Sequence, residues 1–167
     1  MKSLQLVPIN LAELIDETLK RHEALAATKD VKLTRGSLED GLISFVEPRL
    51  MERVLDHLLL NAIEHTGARG KVVISGKLKA AAVEIVVADS GKGVPDELRE
   101  AVFTLDPKVV LPKNSRGGLS LYFCRKAVEV QGGNVVVVGP SGNNRFVVTL
   151  PEHKVSEDWS KDTLPRL

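Results

Sequence analysis

The sequence predicts an α+β fold, with helices gathered on one face of a mostly antiparallel set of strands. Three observations lead there. Helical periodicity recurs in three long stretches, two early and one late, without internal repeats. Runs rich in β-branched residues come in pairs separated by short turns. Finally, 167 residues that are 43% hydrophobic and 27% charged suffice for one soluble core and are too few for two.

The elements follow in order. "INLAELIDETLKRHEALAATKD" opens with Asn10 as an N-cap and Glu13 at the third helical position, the spacing of a capping box. Leu11, Leu14, Ile15, Leu19 and Leu25 form its apolar stripe. "VKLTRGS" and "LISFV" are short strands joined by the charged turn "LEDG". "EPRLMERVLDHLLLNAIEHT" is the clearest helix, with Pro48 at its start and a middle apolar enough to be buried on most sides. After "GARG", the runs "KVVISGKLKA" and "AVEIVVADS" predict a hairpin turning around residues 80–82. "PDELREAVF" predicts a short helix, and residues 104–117 a loop. "GLSLYFCRKAVEVQGG" is a helix stopped by Gly132 and Gly133. Two last strands, "NVVVVG" and "RFVVTLP", flank the turn "PSGNN". The domain is expected to span residues 1–151, with a polar tail over 152–167 that includes His153.

Composition excludes several functions. Lys+Arg 23 against Asp+Glu 22 gives a net charge of +1, which advertises neither nucleic-acid binding nor a membrane tether. The single cysteine, Cys124, forbids an internal disulfide and a CxxC metal site, and reads as a small core residue on a helix. There is no signal peptide and no apolar run of membrane-spanning length; cytoplasmic placement is expected, either free or as the cytoplasmic part of a membrane-anchored protein. The start of the chain reads as the edge of a domain within a longer protein.

The stretch "VVADSGKGVP" carries chemistry. A buried strand runs into Asp89, and Gly91 and Gly93 follow. A carboxylate there is costly unless something hydrogen-bonds it, and the exocyclic amine of adenine is a suitable donor. Glycines would let the backbone pass close under a flat base, where a Cβ would intrude. Taken alone, the motif is weak, and the same residues fit a solvated strand-ending turn better. Two neighbours add weight: Asn61, an amide within the hydrophobic helix segment "LLLNAIEHT", and the glycines of "SRGGLSL", where free N–H groups and the helix dipole would favour phosphate.

This order, with a helix carrying an asparagine, a strand ending D-x-G-x-G, a loop, then glycines opening a helix, resembles the catalytic ATP-binding domain of sensor histidine kinases. That domain belongs to the GHKL superfamily, shared with gyrase, heat-shock chaperones of the ninety-kilodalton class and mismatch-repair ATPases. The resemblance covers about residues 8–151 and implies a two-layer α/β sandwich, a mixed sheet covered on one face by three main helices. It implies ATP and Mg²⁺ as ligands, with Asn61 coordinating the metal that bridges the phosphates. It further implies Asp89 as acceptor for the adenine amine, with Gly91 and Gly93 completing the first glycine box. His65 stands where family members often carry an aromatic ring near the base. Gly118 and Leu119 match the end of the second glycine box, and "LREAVFTLD" resembles the F-box that begins the ATP lid. The implied partners are an upstream dimerisation hairpin bearing the phosphoacceptor histidine and a response-regulator receiver domain. No nucleic acid or direct membrane contact is implied.

Some positions depart from the pattern. The second glycine box reads Asn114, Ser115, Arg116, Gly117, Gly118, with only its last glycine in place. Glu64 stands where a phosphate-contacting lysine is common, and His57 where an asparagine or acid is. Lys108, Lys113 and Arg116 either supply compensating positive charge or are solvated loop residues. His22, in "KRHEALA", lies inside the domain's own first helix and is not read as a phosphoacceptor. The sequence therefore predicts a histidine-kinase ATP-binding domain that holds no nucleophile of its own. Two alternatives remain: an adaptor of the same fold with little or no ATP binding, and an anti-sigma-factor-type serine kinase, which His57 disfavours.

Overall fold

The computed structural model describes residues 4–105 and 118–154, with the side chains of 118 and 119 excepted. The chain runs β1 (Val7–Asn10), α1 (Leu11–Thr28), β2 (Lys32–Leu38), β3 (Ile43–Val46), α2 (Pro48–His65), β4 (Lys71–Lys79) and β5 (Ala82–Asp89). Two 3₁₀ turns (Asp96–Leu98 and Ala101–Phe103), α3 (Gly118–Glu129), β6 (Asn134–Val138) and β7 (Asn144–Pro151) complete it. Five strands form one mixed sheet in the order β2-β4-β5-β7-β6, and β1 and β3 pair separately as a ribbon. Only β2 and β4 are parallel, as expected of strands joined by a crossover through a helix.

Burial alternates strictly along β5 and β7, so one sheet face is covered and the other is half-open to solvent. The covered face packs on α1, α2 and α3. Its core includes Leu14, Ile15, Leu55, Leu58, Leu59, Ile63, Val72, Ile74, Val87 and Phe146, all at most 1% exposed. Burying each such side chain contributes about 1.5–3 kcal/mol. In α2 only Arg49 and Arg53 are exposed, which matches the expectation of a helix sheltered on most sides.

Several details differ from the sequence reading. Asn10 does cap α1, but its Oδ1 accepts from Ala12 N at 3.0 Å and not from Glu13, so the bond is a tighter Asx-type cap. The strands on either side of "LEDG" do not pair with each other. β2 joins the main sheet, while β3 pairs with β1, a strand of only four residues whose Pro8 lacks an N–H and can sit only at an edge. The short helix expected over "PDELREAVF" is two 3₁₀ turns, because only Val102 and Phe103 are buried there and no apolar stripe exists to hold an α-helix. Residues 152 and 153, expected to start the tail, are bonded to the fold: Glu152 N donates to Ala81 O and His153 N to Ile43 O, and the His153 ring meets Phe45 edge-on at 4.3 Å. Most of the loop expected at 104–117, namely 106–117, and the tail beyond 154 lie outside the described residues.

Candidate functional site

The candidate residues meet at one end of the sandwich. Asn61 and His65 are successive positions on one face of the last turns of α2, both half-buried among the buried Ala62, Ile63 and Thr66. The C-terminal end of α2 touches the turn after β5. A Cβ on Gly91 would lie 2.6 Å from His65 O and 2.9 Å from Asp89 Oδ1. Gly91 is thus required by the fold's own closeness at this point, whereas Gly93 is required by its backbone, at φ +80°.

Asp89 ends β5 and is 3% exposed. Its Oδ1 accepts from Gly91 N at 2.9 Å and its Oδ2 from Asn144 Nδ2 at 3.1 Å. Burial pushes its carboxyl above the ordinary value; the bonds from Asn144 and Gly91 and the nearness of His65 partly oppose that shift. Asn144 is a functional candidate that sequence reasoning missed. It opens β7 directly opposite Asp89 and is 5% exposed, and its Oδ1 has no donor. A buried carbonyl without a donor costs about 1–3 kcal/mol, so Asn144 offers a second acceptor beside the acid. No motif in "PSGNNRF" marks it; only the strand register does.

The turn carrying Asn144 is stitched to the glycine turn. Gly142 N donates to Gly91 O at 2.8 Å, and Arg99 Nη2 donates to Gly139 O at 2.8 Å. The two turns are thus held side by side, next to Asp89 and Asn144.

α3 reaches the same end. Glu47 N donates to Gln131 Oε1 at 2.8 Å, Cys124 Sγ bonds Val54 O at 3.7 Å, and the rings of His57 and Phe123 meet at 5.3 Å. Numbers rise along one helix as they fall along the other, so α2 and α3 are antiparallel. The N-terminus of α3, at Gly118, therefore faces the stretch of α2 that holds Asn61. Cys124 itself is core, its thiol pushed up to about 12 by burial. The side chain of Leu119 and all of Lys113 and Arg116 lie outside the described residues.

The donor set fits a nucleotide. Asp89 and Asn144 are adjacent buried acceptors suited to an amine donor, and a helix N-terminus with free N–H groups suits phosphate. Among the described residues there is no cluster of three His, Cys, Asp or Glu. The amide oxygen of Asn61 suits a Mg²⁺ held largely by phosphates and water, the usual manner of that ion.

Comparison with known proteins identifies the family. The model of the family described as "Histidine kinase-, DNA gyrase B-, and HSP90-like ATPase" matches residues 46–154. The adaptive-response sensory kinase SasA of Parasynechococcus marenigrum (strain WH8102) is 34% identical over 163 residues, covering 93% of this chain and 42% of its own. The alginate biosynthesis sensor protein KinB of Pseudomonas aeruginosa is 30% identical over 154 residues, 90% of this chain and 25% of its own. This chain spans about two fifths of the length of the SasA relatives it matches. Among solved structures, the nucleotide-free catalytic domain of the histidine kinase ThkA superposes with a TM-score of 0.78 at 28% identity, covering 91% of this chain and 97% of that one. ThkA has also been solved with the response regulator TrrA, where the likeness has a TM-score of 0.75 and covers 89% of this chain and 42% of that one. A matching family model, relatives named as sensor kinases and a matching catalytic-domain fold lead to one conclusion: the chain belongs to the histidine kinase-, DNA gyrase B- and HSP90-like ATPases, as a catalytic domain of the sensor histidine kinase type.

Proposed function

We propose that this domain binds ATP with Mg²⁺ and presents the γ-phosphate to a histidine on a separate dimerisation hairpin, in a kinase that then serves a response-regulator receiver domain. The single observation that carries the reading is the convergence of Asn61, the Asp89–Gly91–Gly93 turn and the start of α3 at one end of the fold. Asp89 would accept from the adenine amine, with Asn144 Oδ1 beside it, and His65 would flank the base. The N-terminus of α3, from Gly118 and Leu119, would face the phosphates, with Lys113 and Arg116 adding positive charge. Asn61 would hold the metal, which when bound neutralises charge on the phosphates. Catalysis by this chain is positioning plus electrostatics, so it needs no nucleophile of its own. ThkA, solved with a response regulator, is the precedent for the receiver partner. We place the domain on the cytoplasmic side, where ATP and receiver domains are available; among the described residues no helix is long and apolar enough to cross a membrane.

Titration with adenosine, ADP and ATP, with and without Mg²⁺, tests the reading. Asp89→Asn is expected to weaken all three by about 1.5–3 kcal/mol, the range for a hydrogen bond to a charged group. Asn61→Ala is expected to abolish the Mg²⁺-dependent part of the affinity and spare adenosine. Equal loss of adenosine and ATP in Asn61→Ala would make that residue structural. The replaced glycines at 114 and 116, and Glu64 in place of a lysine, favour a weak site. Dissociation constants on the order of 0.1–1 mM are expected, or roughly 4–5.5 kcal/mol, with ADP and ATP within a few-fold of each other. No binding at millimolar nucleotide would favour the second reading, an adaptor acting through protein contacts.

A further inference from the structure

The two halves of the site belong to different layers of the fold. The base half is fixed by β5 and β7, which the sheet ladder holds in register. The phosphate half depends on where α3 begins. Leu121, Cys124, Ala127 and Val128 bury that helix against its neighbours. Burial of this kind is non-directional, so it holds the helix down without by itself fixing its position along its axis. Close packing and the Cys124 Sγ–Val54 O contact place it in part, and stronger directional bonds add to them.

Arg125 supplies them. Its Nη2 and Nε donate to Val135 O on β6, at 2.8 and 3.2 Å. Its Nη1 and Nη2 donate to Glu100 Oε2 and Oε1, at 2.7 and 3.3 Å, in a two-pronged pairing. The guanidinium carbon lies 4.1 Å over the ring of Phe103, which meets Phe146 of β7 edge-on at 6.1 Å. The Arg125 side chain is only 13% exposed, so its bonds to Val135 O are sheltered, whereas Glu100 is 79% exposed and its pairing is screened by water. One residue of α3 therefore grips the sheet edge at Val135 and the segment that follows the acid–glycine turn.

We infer that Arg125 is a positioning residue of the nucleotide site: it sets where the N-terminus of α3 stands relative to Asp89 and Asn144, and so governs how much the phosphates add to affinity. The inference rests on the nucleotide reading above. Arg125 itself touches neither base nor phosphate; it acts through the placement of its helix.

The test compares adenosine with ADP on the whole chain, by following backbone amide shifts during titration with Mg²⁺ present, alongside thermal melts of each variant. Arg125→Met is expected to leave adenosine affinity within about two-fold and to weaken ADP roughly ten-fold, since misplacement by about an ångström can cost up to a hundred-fold. Arg125→Lys, which keeps the charge but loses the fork, is expected to fall between. Should Arg125→Met not fold, Arg125→Lys and Glu100→Gln carry the same comparison, each removing part of the grip. Equal losses for adenosine and ADP would overturn the inference, because general loosening lowers both. So would unchanged ADP affinity in a folded Arg125→Met. A wild-type chain that binds neither ligand refutes the nucleotide reading itself, and this inference falls with it.

Discussion

At the scale of single residues, Asp89 is a carboxylate kept in a place that resists charge. Its pKa is raised above the ordinary 3.8 chiefly by burial. A group raised on folding costs stability when ionised, and the cost is relieved as pH falls through its folded value toward 3.8. Asp89→Asn removes that cost, and a half-turn of the Asn144 amide would then give its orphaned Oδ1 a donor. The nucleotide-free variant is therefore expected to melt above wild type at neutral pH, with the gap closing as the solution is acidified into the carboxylate range. Wild-type affinity for ADP should fall over the same interval as the charged acceptor is lost. Calorimetric melts of both proteins across pH, paired with ADP titrations, measure both effects. The two glycines nearby differ in kind. Gly91→Ala drives a methyl group into His65 O and is expected to cost about 1–3 kcal/mol as overpacking, and to displace the end of α2. Gly93→Ala meets nothing closer than 3.7 Å and should cost only the left-handed backbone penalty, about 1–2 kcal/mol. Urea unfolding separates them if Gly91→Ala also shifts the α2 resonances and Gly93→Ala does not.

At the scale of elements, the β4–β5 hairpin turns through Ala80 and Ala81, at φ +48° and +61°, a two-residue connection that ordinarily calls for Asn-Gly. The double change Ala80→Asn with Ala81→Gly is expected to stabilise the fold by about 1–2 kcal/mol, from the left-handed penalty removed at two alanines and reduced by the freedom glycine adds to the unfolded chain. A chemical denaturation midpoint that does not rise would show that this turn is compensated elsewhere. Hairpin, helices and main strands were legible because each repeats its signal: Leu11, Leu14 and Ile15 along α1, Val83, Ile85 and Val87 along β5. The ribbon was not, because Val7–Asn10 is too short to show a period and contains a proline. The segment at 96–103 misled for a related reason, since its sequence favours a helix while Arg99 and Arg125 hold it by their side chains in two tight turns. Asn61 and the Asp89 turn were legible as motifs with their own chemistry. Asn144 was not, since its meaning comes from lying across from Asp89 on another strand.

At the scale of the whole molecule, the β1–β3 ribbon does more than decorate an edge. β3 takes Val7–Asn10 on one side, while Ser44 Oγ donates to Pro151 O at 2.6 Å and Ile43 O accepts from His153 N. Pro8 is the partner of Phe45, and the His153 ring meets that same ring edge-on. The first strand and the last residues of the described fold are thus anchored on one short strand, whatever lies beyond them in sequence. Chain ends anchored on one strand can be joined by a flexible linker of several residues, and fresh ends can be opened in an exposed loop. A circular permutant linking residue 154 back to residue 4 and opening between Asp40 and Gly41, both exposed, is expected to unfold in a single transition and to bind ADP as the parent does. Loss of cooperativity would mean that chain order, and not only contact, holds the ribbon to the sheet. Mechanically, tension applied between residues 4 and 154 would load β3 first, and little of it would reach the main sheet.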